Sequence, residues 1–231
     1  MANVEKTLQI TDLVKTFDQP GGGRLTVLDI PKFEINAGEQ VALIGQSGGG
    51  KTTLLHLIAG LLTPDSGSIR LVGTELTKLS EQGRDRFRAS TIGYVFQTFN
   101  LLPAFTAIEN VRLGMTFGHG RMNPSRADEL LARVGLADRA HYRPSQLSVG
   151  QQQRVAIARS LAGKPRLLLC DEPTANVDPV SAENVLDLIR SSCQEENVAM
   201  LMVTHSMDVA ERFDRIEKLD QINQAFSATA H

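Results

Sequence analysis

The segment "VALIGQSGGGKTTLLHLIAGL" carries Gly45, Gln46, Ser47, Gly48, Gly49, Gly50, Lys51 and Thr52, a full match to G-x-x-x-x-G-K-[ST], with Thr53 directly after. An apolar strand pattern precedes the match and a helical pattern follows it, which is the setting the motif requires. Glycines open backbone conformations closed to other residues, so successive N–H groups can curl around phosphate oxygens. In such a loop Lys51 reaches the β- and γ-phosphates of a bound nucleotide, and the Thr52 hydroxyl takes a magnesium position.

Carboxylates follow in "RLLLCDEPTANVD", where Asp171 and Glu172 close an apolar strand and Pro173 stops it. Ligands of open α/β sheets bind at the carboxyl ends of strands, so both acids are expected on the edge that holds the glycine loop. Asp171 is then the acidic partner of the metal, and Glu172 can polarise an attacking water. "VAMLMVTHS" repeats the arrangement and ends in Thr204 and His205. His205 is either a contact to the γ-phosphate or an ordinary strand-end histidine. His56, His119, His141 and His231 have no such setting and read as structural or solvated.

A second anion site is suggested by "PSQLSVGQQQRVAIARSL", a polar turn running into a helix. Ser148, Val149 and Gly150 offer backbone N–H groups with little side-chain bulk, where orphan amides and the positive end of the helix dipole coincide.

These residues need a scaffold, and the sequence supplies an α/β one. Strand patterns occur at "LQITDLVKTF", "LTVLDI", "KFEI", "QVALIG", "SIRLVG", "TIGYVF", "RLLLCDE", "VAMLMVTH" and "RIEKL". Several are continuous apolar runs, as in strands buried on both faces of a parallel sheet. The first ninety or so residues read as mixed strand pairs broken by turns. Helical periodicity then dominates "FTAIENVRLGM", "PSRADELLARVGL" and "QQQRVAIARSLAG", with Pro124 at a first helical turn. The expectation is one domain over residues 5–225, its core at 5–97 and 164–225, a helical subdomain inserted at 98–163, and a tail at 226–231.

Composition narrows the function class. The chain has 231 residues, a net charge of −2, and 42% apolar against 22% charged residues. That is ordinary for a globular protein and gives no basic field, so nucleic acid is not the expected partner. There is no uninterrupted apolar run long enough for a membrane span, and "MANVEKTLQI" has no signal-peptide core. A cytoplasmic location is expected. Cys170 and Cys193 fit no metal spacing, and Cys170 reads as a small buried filler.

Taken in order, these pieces resemble the ATP-binding cassette ATPases over nearly the whole chain. "LSVGQ", with Ser148, Val149, Gly150 and Gln151, stands where that family carries its signature Leu-Ser-Gly-Gly-Gln. The resemblance implies a P-loop NTPase core of the RecA-like kind, with an N-terminal antiparallel β-subdomain and an inserted α-helical subdomain. It also implies ATP and Mg2+ as cofactors and a homodimer in which each ATP lies between one copy's glycine loop and the other's signature helix. By the same resemblance His205 senses the γ-phosphate, Gln97 contacts metal and water and feels the transport partner, and Asp178 belongs to a loop crossing the dimer interface. Phe17 stands where an aromatic ring stacks on adenine; as a plain residue it equally suits an edge-strand core.

Within the family, "QTFNLLPAFTAIENV" and "LSVGQQQRVAIARSL" are most similar to ATPase subunits of the lipoprotein-release and macrolide-export type. The implied function is ATP hydrolysis that powers a separate integral membrane permease, which would hold the chain at the inner face of the membrane. The other output the subgroup implies is regulation of cell-wall or division machinery through a membrane partner without transport. Val149 departs from the signature glycine, and Gln221 stands where a glycine turn closes the last hairpin.

Overall fold

A computed structural model describes residues 5–116 and 123–225; the expected tail and His119 and His231 lie outside them. Among the described residues, no helix is long and apolar enough to cross a membrane. The chain divides into two compact units, one from the described residues of 1–84 and 201–231, the other from 85–200.

In the first unit, β1 (Lys6–Asp18) pairs antiparallel with β2 (Arg24–Asn36) and with β4 (Ser66–Leu71), and β5 (Thr74–Glu75) completes the order β2-β1-β4-β5. Alternation explains the pairing, since Leu8 and Ile10 of β1 and Leu28, Ile30, Phe33 and Ile35 of β2 are buried. Each such side chain contributes about 1.5–3 kcal/mol on full burial. "LTVLDI" and "KFEI" form one strand rather than two. Pro31 interrupts them in the sequence but is tolerated because β2 is the edge of its sheet, where a missing ladder N–H costs little.

The same unit holds β3 (Gln40–Ile44) between the end of β8 (Ala199–Thr204) and β9 (Arg215–Lys218), with β3 and β9 parallel. Helix α1 (Lys51–Ile58) follows β3, α7 (Met207–Ala210) follows β8, and α8 (Leu219–Ile222) follows β9. A helical turn therefore stands where a closing hairpin is usual, in keeping with Gln221 in place of glycine. Arg215 fastens β9 by donating to Glu34 O at 2.9 Å, Glu39 Oε1 at 2.9 Å and Glu217 Oε1 at 2.6 Å.

The second unit contains most of α2 (Glu81–Thr91), then β6 (Ile92–Val95), α3 (Ala107–Thr116), α4 (Pro124–Arg133), α5 (Val149–Ala162), β7 (Leu167–Asp171) and α6 (Pro179–Glu195). Strand β7 lies between β6 and the start of β8, and β6 and β7 are parallel. Helix α2 buries only Thr91, so no apolar stripe marks it in the sequence. Pro124 opens α4 as expected, after Asn123, whose side chain accepts the Arg126 N–H.

Helix α5 is seated by two close approaches. A Cβ on Gly93 of β6 would lie 2.3 Å from Ser160 O, and one on Gly114 of α3 would lie 2.2 Å from Arg159 O. Only a residue without a side chain permits either crossing. At the other side, Arg126 Nη2 donates to Glu196 Oε1 at 2.7 Å and Arg133 Nη1 does the same at 2.7 Å, tying α4 to the end of α6. Cys170 and Cys193 are buried, and burial pushes the Cys193 thiol up to about 12, so both behave as apolar fillers.

Candidate functional site

The glycine loop leaves β3, whose residues from Val41 to Ile44 are buried, and enters α1 at Lys51. Gly50 is the N-cap at φ 95°, a left-handed conformation that disfavours side chains, and its cap makes no side-chain hydrogen bond. Space demands glycine there as well, since a Cβ would lie 2.9 Å from Val27 Cγ1 and 3.1 Å from Leu28 Cδ2. Gly50 thus brings no side chain to the start of α1. Lys51 is only 6% exposed, and its Nζ donates to Gly45 O at 2.7 Å and Gln46 O at 2.9 Å, so the lysine curls back over its own loop. Gln46, Ser47, Gly48 and Thr52 are exposed, while Gly45, Gly49, Gly50 and Thr53 are half-buried.

Residues from the end of the chain back this loop. Because β3 and β9 are parallel, Gly45 and Leu219 leave the same edge, and a Cβ on Gly45 would lie 3.2 Å from Leu219 Cβ. The Asn223 side chain accepts the Asp29 N–H at 2.7 Å and donates to Val27 O at 2.9 Å, fixing the stretch of β2 that abuts Gly50. His205 is exposed directly after β8, between buried Thr204 and Ser206, whose hydroxyl accepts the Val209 N–H at the start of α7. Phe17 lies near the end of β1, 39% exposed, with Lys15 Nζ 5.4 Å from its ring centre. It is not a core residue, which removes that side of the sequence reading.

In the second unit, the parallel pairing of Val95 with Cys170 sends the ends of β6 and β7 to one edge. Gln97 and the Asp171–Glu172 pair are brought together there. Asn176, in the loop after the acids, donates to Gln97 O at 2.9 Å. Asp171 is 8% exposed, and its charge adds to burial in pushing the Tyr94 phenol upward. Glu172 has φ 47°, unusual for a side-chain-bearing residue, and the turn is closed by Ala175 N donating to Glu172 O at 3.2 Å. Strain of this kind costs on the order of 1–3 kcal/mol and clusters at functional positions. Asp178 caps α6 by accepting the Ser181 N–H at 3.0 Å.

At the start of α5, Ser148 Oγ accepts Gln151 N–H at 3.3 Å and Gln151 Oε1 accepts Ser148 N–H at 3.0 Å, a reciprocal capping box. Of the three amides that look bare in the sequence, only that of Ser148 is thereby used. Those of Val149 and Gly150 take no partner among the described residues. Val149 is 49% exposed and begins the helix with negative φ, so the signature position does not need glycine for its backbone. A Cβ on Gly150 would find nothing nearer than Ser181 Oγ at 4.0 Å.

Three further residues shape these sites without a sequence motif of their own: Asn176, Asn223 and Arg159. Arg159, near the end of α5, donates to Asn100 O at 2.6 Å and Phe99 O at 2.9 Å. It joins the signature helix to the segment just after Gln97. Their signal is pairing across distant parts of the chain, which spacing cannot reveal.

The sequence profile of the family described as "ABC transporter" matches residues 28–175. The "Lipoprotein-releasing system ATP-binding protein LolD" of Nitrobacter winogradskyi is 46% identical over 217 residues, covering 93% of each chain. The protein of the same description from Pseudomonas fluorescens is 42% identical over 93% of this chain and 95% of its own. Among solved structures, the dimeric post-hydrolysis state of the ATP-binding cassette MJ0796 bound to ADP and Pi superposes with a TM-score of 0.84 at 34% identity, covering 94% of this chain and 95% of that one. The glycine loop, the acid pair and the capped signature helix thus sit in a fold shared across almost the full length of such proteins, and the chain belongs to the ABC transporter family as an ATP-hydrolysing cassette subunit.

Proposed function

We propose that the chain works as a homodimer around two ATP molecules and powers the release of lipoproteins through a separate membrane permease. The observation that carries the dimer reading is the start of α5. Its Val149 and Gly150 amides have no partner among the described residues, and the space beside Gly150 is open. An anion site so placed serves a phosphate held by another copy, which makes Ser148, Val149, Gly150 and Gln151 the second half of each site. The cargo is taken from the relatives named as lipoprotein-releasing ATP-binding proteins.

The chemistry is phosphoryl transfer to water, catalysed mainly by positioning and charge stabilisation. Amides of Gly45 to Thr53 and Lys51 hold the phosphates, and Phe17 stacks on the base. Glu172 orients and deprotonates the water, while His205 and the partner copy's signature serine complete the γ-phosphate cage. Magnesium fits the donors that the motifs supply, a Thr52 hydroxyl, the Gln97 amide oxygen and the Asp171 carboxylate, all hard oxygens. Among the described residues no cluster of three His, Cys, Asp or Glu exists, which suits an ion that takes the rest of its shell from phosphate and water. When bound, the ion neutralises charge on the β- and γ-phosphate oxygens.

Transmission to the permease is supported by an apolar groove of about 570 Å³ in the second unit, bordered by Tyr94, Phe96, Leu102, Leu113 and Arg159. It adjoins the segment after Gln97, so a helix of the membrane subunit seated there would feel changes at the acid pair.

The test is Glu172→Gln. Turnover should fall at least about a thousandfold, as on removal of a general base, while ATP now yields a stable dimer by light scattering. Near-normal turnover would remove Glu172 as the base. A lipoprotein-transfer assay with the co-purifying permease examines the cargo.

A further inference from the structure

Beyond the last pair of β1 with β4, Val14 opposite Ser66, strand β1 loses that neighbour. Its register with β2 also shifts between Lys15 and Thr16. Such irregularities re-aim side chains and leave backbone groups without a ladder partner. Asp65, in the loop between α1 and β4, fills the gap. Its Oδ2 accepts the Thr16 N–H at 2.6 Å and the Thr16 hydroxyl at 2.8 Å, and its Oδ1 accepts from Lys15 Nζ at 3.3 Å. Lys15 Nζ donates to Thr63 O at 2.9 Å as well, and the same ammonium lies over the Phe17 ring. The Asp65 amide in turn donates to Val14 O at 2.9 Å.

One carboxylate therefore holds both residues that precede Phe17 and the cation that rests on its ring. We propose that Asp65 is a positioning residue for the nucleotide base, fixing the shifted end of β1 so that Phe17 presents its ring to adenine. This rests on the reading of Phe17 as the adenine platform. A cation over one face of an aromatic ring leaves the opposite face for a base, and pre-ordering the ring removes part of the entropy cost of stacking. The Thr16 amide and hydroxyl, followed by Lys15, also hold the Asp65 carboxyl down to about 2, so it stays an acceptor at any working pH.

The experiment compares wild type, D65A, T16V, F17A and D65A/F17A for ATPase kinetics and for binding of ATP and of inorganic tripolyphosphate, which has no base. D65A is expected to raise KM for ATP about fivefold, the low end of the cost of a lost base–aromatic stack. Its kcat and its tripolyphosphate affinity should stay within about twofold of wild type, the scale of a remote surface substitution. T16V, which removes only the hydroxyl contact and spares the fold, should raise KM about twofold, the small end for one hydrogen bond. D65A/F17A should bind ATP no more weakly than F17A alone, because the two act through one contact.

Unchanged KM in both D65A and T16V, an equal loss for tripolyphosphate, or additive losses in the double variant would each overturn the positioning role. F17A with wild-type KM would instead remove the stacking platform itself, and the proposal with it.

Discussion

Val149 departs from the signature glycine without disturbing the local backbone. It is exposed and helical from the outset, and the proposed anion site then rests on the Ser148–Gln151 cap and the unencumbered Gly150. Val149→Gly should therefore leave ATPase activity within about twofold, as expected for a substitution that removes no buried contact. Ser148→Arg is different: bulk at the cap should abolish hydrolysis while nucleotide affinity of the isolated monomer, measured by titration, is retained. A matching loss of monomer affinity would place the helix start in its own chain's site. Asp65 also sets an acid response. Its folded value near 2 lies below the ordinary 3.8, so its contribution is complete above about pH 4 and is lost as pH falls through about 2. Acid melts of D65N should lose less stability than wild type across that window.

Among the elements, α5 carries the tightest constraints. Any side chain at Gly114 must displace the backbone of Arg159, so Gly114→Val should destabilise the fold by at least about 1–3 kcal/mol in urea melts, the cost of overpacking. Arg159 has a subtler task, because its guanidinium fixes Phe99 and Asn100 to the signature helix. Arg159→Ala should speed amide hydrogen exchange in the segment from 98 to 101 while exchange in β7 stays slow. Legibility follows the same line. β3, β7 and β8 could be read as buried strands because their apolar runs are continuous, and α5 because its helical periodicity is plain, although its cap was not read. Helix α2, whose polar length buries one residue, and the fusion of two short strand signals across Pro31 could not, because seating and sheet edge decided them.

For the whole molecule, the candidate catalytic groups could be picked out of the sequence because Gln97, Glu172 and His205 follow strand ends and Lys51 lies in a complete local motif. The residues that hold them could not, because Asp65 meets Thr16 and Asn223 meets Val27 across long stretches of chain. No window of sequence contains both members of such a pair. Asn223 has a consequence in time as well as in space. The glycine loop is made early in synthesis, yet β9, Leu219 and Asn223, which border and brace it, are among the last described residues of the chain. A chain on the ribosome that has not yet reached Asn223 has the loop without the hydrogen bonds that steady Val27 and Asp29 beside it.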